Sequence, residues 1–317
     1  MTTQSPVRPN SDDTCPDLTD EHYIGRFAPS PTGLLHMGSL AGALASYLDA
    51  KFNNGLWYLR IDDLDPPREI PGAAKAILES LTKHGLNWDG EELWQSNRHG
   101  VYQAVISQLI SANKAFYCNC SRLQIQGENG IHLGKCTPAI TDSTLSESKV
   151  GLAVRALAGE KRIEFTDRIQ GGYFQNIRRD VGDFVLQRKD ALFAYQLASV
   201  IDDAFQGITH VVRGSDLLSS TPRQIFLQRI IGLPTPKYAH IPVIVNPQQQ
   251  KLSKQTFAKA ISNENVIENL LKALAYLRQP MPPSEFTNKT ADLLQWSAEN
   301  WDLTSIPNQL TIAELSS

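Results

Sequence analysis

The chain is predicted to fold as an α/β protein, a parallel sheet with helices on its faces. Three observations carry this. Strand-like and helix-like segments alternate from residue 23 to residue 113, the order that a parallel sheet with crossover helices requires. A turn built from Pro29, Pro31 and Gly33 separates the first strand from the first helix. At 317 residues, 41% apolar and 20% charged, the chain can bury a sizeable core and has the composition of an ordinary globular protein.

Taken in order, residues 1–21 are polar and carry Asp12, Asp13, Asp17 and Asp20. They lack a basic n-region and an apolar h-region, so a flexible tail is expected and not a secretory signal. The apolar and aromatic run 23–27 reads as a strand that stops at Ala28-Pro29. Leu40, Ala41, Leu44, Ala45 and Leu48 recur at helical spacing and predict a helix over Met37–Phe52. Leu56–Ile61 is a second strand, ending in the acidic run Asp62-Asp63-Leu64-Asp65. Segments 73–84 and 101–113 read as amphipathic helices. Residues 118–136 have no clear period, contain Gly127, Gly130 and Gly134, and read as an insert. Strand pieces follow at 152–157 and 184–187, then a helix over Tyr195–Phe205 and a strand at 210–213. Thr221-Pro222 marks the start of a helix over Thr221–Ile231. Two helical stretches are expected beyond residue 263, with no internal repeat and no low-complexity tract.

The net charge of −3 does not mark a nucleic-acid binder, although a local basic face is enough to contact phosphates. No apolar run approaches the roughly 18 residues of a membrane span. Cys15 lies in the tail, while Cys118, Cys120 and Cys136 cluster. Clustered cysteines without a secretion signal favour metal ligation over disulfides. With His132 they form a set whose short spacing suits tetrahedral zinc, and four protein ligands imply a closed, structural site.

Two segments carry chemistry. In an open parallel sheet, ligands bind beyond the carboxyl ends of the strands, and residues 28–38 occupy that position. The N–H groups that open the following helix favour a phosphate, and His36 can donate to the same group. Taken alone, His36 is equally well an incidental residue on a Pro-rich turn. The second segment, Lys251-Leu252-Ser253-Lys254-Gln255, follows a Pro/Asn/Gln-rich stretch and should occupy a mobile loop. A lone Lys-x-x-Lys is common on solvated surfaces. Paired with the first segment, it makes the second half of a triphosphate clamp.

The run from Arg26-Phe27-Ala28-Pro29-Ser30-Pro31-Thr32-Gly33 through His36-Met37-Gly38-Ser39, together with 251–255, resembles the HIGH and KMSKS signatures of class I aminoacyl-tRNA synthetases, in their glutamyl branch. The resemblance extends from about residue 22 to 260. It implies a Rossmann-type doubly wound parallel sheet with a zinc-binding insert and a short C-terminal helical region. The expected layout is a tail at 1–21, the first catalytic half at 22–115 and the insert at 116–150. The second catalytic half would follow at 151–245, then the lysine loop and a truncated stem-contact region at 246–317.

The same resemblance assigns roles. His36, Lys254 and Lys251 would be catalytic, and His36, Gly38, Ser39, Lys254 and Asp216 would hold ATP with Mg²⁺. Arg26, Ala28, Ser30, Asp62, Tyr195 and Arg213 would form the glutamate pocket. Arg213 stands in Thr209-His210-Val211-Val212-Arg213-Gly214-Ser215-Asp216, which is similar to the family's Thr-His-Val-Ile-Arg-Gly-Glu-Asp strand, and would read the side-chain carboxylate. Cys118, Cys120, His132 and Cys136 would bind one structural zinc; in the bacterial family a tyrosine can stand at the His132 position. Two positions depart from the pattern. Ser39 replaces a second histidine, and Asp62 replaces a glutamate, drawing its carboxylate back by about 1.5 Å.

Full-length glutamyl enzymes are longer and carry a helical anticodon-reading domain. The short plan, with Asp62-Asp63-Leu64-Asp65-Pro66-Pro67-Arg68-Glu69 and Leu93-Trp94-Gln95-Ser96-Asn97-Arg98-His99, resembles the branch that transfers glutamate to queuosine at the wobble position of tRNA(Asp). That implies activation of L-glutamate by ATP without tRNA, in a cytoplasmic protein expected to be monomeric. Three alternatives stand beside it: a stripped-down enzyme charging the 3′ end of tRNA(Glu), a non-enzymatic zinc-bearing RNA- or protein-binding paralogue, and glutamate activation for an acceptor other than RNA.

Overall fold

The computed structural model describes residues 22–126, 130–134, 151–160, 162–248, 250–251 and 259–315. The tail at 1–21, Lys254 and Cys136 lie outside the described residues.

The first half runs β1 (Ile24–Phe27), α1 (Met37–Phe52), β2 (Leu56–Ile61), α2 (Ala73–Lys83), β3 (Leu93–Trp94) and α3 (His99–Ser111). β1 and β2 pair in parallel, with Ile24 opposite Leu56, and β3 joins the far edge of β2. α1 forms because Leu40, Leu44 and Leu48 repeat every four residues, and all three are fully buried. Burying each such leucine contributes roughly 1.5–3 kcal/mol. The helix stops at Asn53, and the following Asn54 N–H donates to the Lys51 carbonyl at 3.0 Å.

An antiparallel unit interrupts the winding: β4 (Ala115–Cys118), α4 (Arg122–Gln126), β5 (Ala153–Ala156), the hairpin β6 (Arg162–Asp167) and β7 (Gly171–Asn176), α5 (Ile177–Asp180) and β8 (Val185–Gln187). β5 lies between β4 and β8. The parallel winding resumes with α6 (Tyr195–Phe205), β9 (His210–Gly214), α7 (Thr221–Ile231) and β10 (Lys237–Ile241). Thr209 N–H donates to the Ile24 carbonyl at 3.0 Å and its Oγ1 accepts from Ile24 N–H at 2.8 Å, which sets β9 against the free flank of β1. The strand order thus reverses between β1 and β9, the place where open α/β sheets bind ligands.

Both faces are covered. Consecutive residues alternate between two cores: Tyr23, Val212 and Ala239 face one, Ile24, Val211 and Tyr238 the other. The first core holds α1 and α2 with α8 (Val266–Tyr276) and α9 (Thr290–Glu299); the second holds α3, α6 and α7. The C-terminal helices therefore share their core with α1. Trp301 Nε1 donates to buried Asp49 at 3.0 Å. β11 (Val243–Val245) pairs in parallel with β12 (Thr311–Ala313) as a separate two-stranded sheet.

The expected helices at Met37–Phe52, Tyr195–Phe205 and Thr221–Ile231 are observed with those bounds. Strands β3, β4, β6, β7, β10, β11 and β12 were not anticipated. β3 has two residues, too few to show a period, and β11 pairs with a strand far away in sequence.

Candidate active site

Beyond the carboxyl ends of β1 and β9 lies a cavity of about 700 Å³. Its wall includes Arg26, Ala28, Ser30, His36, Gly38, Ser39, Tyr195, Arg213, Asp216 and Lys251. Ten sequence-expected residues from β1, α1, α6, β9 and the lysine segment thus meet at one place. A second cavity, about 810 Å³ between α1, α2 and α9, contains none of them.

The turn before α1 folds as its composition dictates. Gly33 takes φ 144°, a region that side chains disfavour, and the chain then enters α1 through His36 as N-cap. His36 Nδ1 accepts from Ser39 N–H at 3.3 Å, and its Nε2 lies 2.9 Å from Ser39 Oγ. An acceptor Nδ1 leaves the proton on Nε2, so Ser39 orients the imidazole from both ring nitrogens. The serine that departs from the motif is a partner of the histidine.

The lysine segment is anchored at both described ends. Lys251 pairs with Val245, while Ala260 bridges to His36 and Ile261 N–H donates to the Leu35 carbonyl at 3.0 Å. Lys251 Nζ donates to Asp216 Oδ2 at 2.6 Å, on the turn just after β9. Gly214 permits that turn: a Cβ there would lie 2.5 Å from Asp216 Oδ1.

Arg213 is 7% exposed, and its guanidinium is held entirely by neutral groups. Nε donates to His240 Nε2 at 3.0 Å, Nη1 to the Tyr195 hydroxyl at 3.3 Å, and Nη2 to Thr221 Oγ1 at 2.8 Å and Gln224 Oε1 at 2.7 Å. Among the described residues it forms no ion pair. Burial pushes the His240 pKa down to about 4, so the ring is neutral at pH 7. Its Nδ1–H donates to Asp167 Oδ2 at 2.6 Å, leaving Nε2 to accept from Arg213. A buried cation with only neutral partners, lining a cavity, suits an anionic ligand group.

Arg26 is satisfied differently. Its Nε donates to Asp203 Oδ1 at 3.1 Å, and the same oxygen accepts from Arg60 Nη1 at 2.6 Å. Arg60, wholly buried, also donates to Asp62 Oδ1 at 2.7 Å. Burial works to raise the Asp203 pKa, but the guanidiniums of Arg26 and Arg60 outweigh it and hold it below the ordinary value. Asp62 departs from its expected place: it is not part of the cavity wall, and its carboxylate is engaged by Arg60 behind it. The short side chain reaches its buried neighbour and stops there.

In the insert, Cys118, Cys120 and His132 place their ligand atoms within 4.8 Å of one another. His132 Nε2 lies 3.5 Å from Cys118 Sγ, and the opposite Nδ1 lies 3.0 Å from Asp183 Oδ2. Arg155 Nε donates to Cys118 Sγ at 3.3 Å, favouring a thiolate. Two soft sulfurs, one imidazole and a carboxylate orienting it fit a tetrahedral zinc site. Cys136 lies outside the described residues.

Sequence reasoning missed Asp167, Thr221, Gln224 and His240 around Arg213, Asp203 and Arg60 behind Arg26, and Asp183 and Arg155 beside the cysteines. A histidine in the apolar strand Tyr238-Ala239-His240-Ile241 was the one visible signal.

A family model described as tRNA synthetases class I (E and Q), catalytic domain, matches residues 24–281. A Glutamyl-Q tRNA(Asp) synthetase of Ectopseudomonas mendocina (strain ymp) is 50% identical over 293 residues, covering 92% of this chain and 97% of that relative. The protein of the same name from Pseudomonas aeruginosa PAO1 is 47% identical over 293 residues, covering 92% and 98%. A crystal structure of a glutamate tRNA ligase from Elizabethkingia meningosepticum CCUG26117, in complex with its amino acid, superposes with a TM-score of 0.76 at 25% identity. That match covers 90% of this chain and 66% of the ligase, so the chain spans about two thirds of its length.

Proposed function

The chain belongs to the class I tRNA synthetases for glutamate and glutamine, and from that membership we propose that it activates L-glutamate with ATP and transfers it to queuosine at the wobble position of tRNA(Asp). The observation that carries the glutamate assignment is Arg213, a buried guanidinium at the cavity wall that among the described residues is held by neutral acceptors alone. The transfer to queuosine is supported by relatives at 46–50% identity that carry that name and match this chain over 97–99% of their length.

The reaction needs no protein nucleophile. An α-carboxylate oxygen attacks the α-phosphorus, an acyl–O–P bond forms, and the bond to the β-phosphate breaks to release pyrophosphate. A hydroxyl of the cyclopentene-diol then attacks the acyl carbon, loses its proton, and displaces AMP. The protein supplies position and charge complementarity. Arg213 with Tyr195 takes the side-chain carboxylate, and Ser30 and Ala28 line the adjoining wall. Asp62, the candidate for the α-ammonium, acts through the electrostatic field of its cluster, since its carboxylate is engaged by Arg60. His36, with Gly38 and Ser39 at the N-terminus of α1, cradles the phosphates. Lys251, braced by Asp216, would complete the clamp, with Lys254, which lies outside the described residues, as the second expected cation. Magnesium arriving with ATP would neutralise part of the triphosphate charge.

Zinc would be held by Cys118, Cys120, His132 and Cys136, where it fastens the insert and takes no part in the reaction. The layout expected from the sequence, with the insert at 116–150 between two catalytic halves and a stem-contact region at 246–317, is retained as the domain reading. Among the described residues no helix is long and apolar enough to cross a membrane; a cytoplasmic monomer is the working assignment.

The deciding experiment incubates the protein with radiolabelled glutamate, ATP and bulk tRNA from cells with and without queuosine. Label on tRNA(Asp) only in the queuosine-containing pool is the expected result. Label on tRNA(Glu) instead would make this a short 3′-end charging enzyme.

A further inference from the structure

We propose that Asp167 and His240 are positioning residues for glutamate: together they present a neutral, acceptor nitrogen to Arg213 and so fix the guanidinium that reads the substrate carboxylate. This rests on Arg213 being the carboxylate receptor and adds two residues that touch no substrate.

Asp167 is wholly enclosed and collects four donors. Its Oδ1 accepts from the N–H groups of Ile169 at 3.0 Å, Gln170 at 2.9 Å and His240 at 3.1 Å, and its Oδ2 takes the His240 ring proton at 2.6 Å. A carboxylate surrounded by three backbone donors cannot turn, so the imidazole has one tautomer available, Nδ1–H with Nε2 as acceptor. That nitrogen meets Arg213 Nε–H at 3.0 Å. Both are buried, His240 completely and Arg213 nearly so. The charged and titratable groups facing His240 are Asp167 from β6, Arg213 from β9, Asp216 from the turn after it and Tyr238 from β10. Thr221 Oγ1, 3.2 Å from Nε2, is the neutral partner from α7.

A second cation beside Arg213 would also bind an anion, but it would relax the geometry and repel the guanidinium. A neutral acceptor fixes Arg213 without neutralising it. The charge therefore remains for the ligand, and the amide of glutamine, which brings no negative charge, is disfavoured.

The decisive variant is Asp167→Asn. Its amide oxygen satisfies the three backbone donors, which turns the NH₂ towards His240 Nδ1. The ring must then carry its proton on Nε2, donor against donor at Arg213. The measurement is glutamate-dependent ATP–pyrophosphate exchange. The KM for glutamate should rise about ten- to a hundredfold, as for an unsatisfied buried donor, with the KM for ATP and the unfolding midpoint close to wild type. His240→Gln, which keeps a neutral acceptor, should recover part of the loss seen in His240→Phe. In the wild type, the glutamate KM should hold down to about pH 5 and climb as pH falls towards 4, where His240 takes up a proton, and Asp167→Asn should change that profile. Arg213→Ala is run in parallel. An unchanged glutamate KM in Arg213→Ala rejects the carboxylate receptor itself. A raised KM there, with Asp167→Asn and His240→Phe both at wild-type KM, rejects only the relay. Should Asp167→Asn fail to fold, the His240→Gln and His240→Phe pair decides by the same criterion.

Discussion

Arg26 and Arg213 line the same cavity and are satisfied in opposite ways. Arg26 leans on Asp203, which it shares with buried Arg60, and Arg60 also holds Asp62; charge meets charge throughout. Arg213 is bound by an imidazole, two hydroxyls and an amide, with no carboxylate among the described residues. The first cluster balances its own charge, while the second, on the proposed reading, awaits the substrate carboxylate. A buried cation without a counter-charge is costly unless something arrives to pair with it. The sign of the substrate can therefore be read from the partners that the protein withholds.

The comparison breaks most visibly at Asp203. Asp203→Ala removes the shared carboxylate and leaves two guanidiniums facing each other in the interior. Uncompensated buried charge of this kind costs about 3–5 kcal/mol, so urea unfolding should show a large drop in midpoint. A loss below about 1 kcal/mol would mean that the Arg26–Arg60 cluster is not self-sufficient. Arg213→Ala should act on function first. Losing one side of a buried charge pair typically costs about 2–5 kcal/mol of binding, a rise in glutamate KM of thirtyfold or more. With ATP assigned to His36 and the lysine segment, its KM should move by less than about threefold.

Acid should separate the clusters. The His240 pKa is lowered from 6.5 to about 4 by burial, so its contribution is complete above 6.5 and declines as pH falls towards 4. The Asp203 pKa sits below its ordinary 3.8, so its contribution persists to lower pH and is lost only as pH falls through that depressed value. Between pH 6.5 and 4 the Arg213 side should weaken by about 1–3 kcal/mol while the Arg26 side holds. Urea stability should then fall before glutamate affinity does, because the folded ring itself takes up a proton only near pH 4. Coincident losses would show that the two clusters are one unit.

Legibility followed the same division. His36, Tyr195, Arg213, Asp216 and Lys251 were readable because they stand in segments that resemble the family's signatures, and the structure brings all five to one cavity. Asp167, His240 and Asp203 were not, because their partners are set by packing. Asp167 enters from a hairpin that the sequence did not announce, and it meets His240 across 73 residues of chain. Asp62 stands where the motif predicts, but its carboxylate is engaged by Arg60 and it does not line the cavity. The helices were legible since α1, α6 and α7 each bury a continuous stripe. Two- and three-residue strands have no period to read.

The cysteine cluster can be tested apart from the cavity, since Cys118, Cys120 and His132 bring their ligand atoms within 4.8 Å of one another, a donor set that suits zinc. Chelation, or Cys118→Ser, should lower the unfolding temperature by about 2–4 °C per kcal/mol lost, with zinc content falling in step. Pyrophosphate exchange should survive, because the insert lies apart from the cavity. Exchange lost in proportion to zinc would give the metal a role at the active site.

Ser39 should give the smallest effect. Its hydroxyl and N–H meet the two ring nitrogens of His36, so Ser39→Ala keeps the backbone contact to Nδ1 and removes the one to Nε2. One neutral hydrogen bond is worth about 0.5–1.5 kcal/mol, so kcat for pyrophosphate exchange should fall about two- to tenfold. The glutamate KM should stay put, since Arg213 and its neutral ring are untouched. A change in glutamate KM without a change in kcat would place Ser39 in the amino-acid pocket, and the phosphate and carboxylate ends of the cavity would no longer be separable.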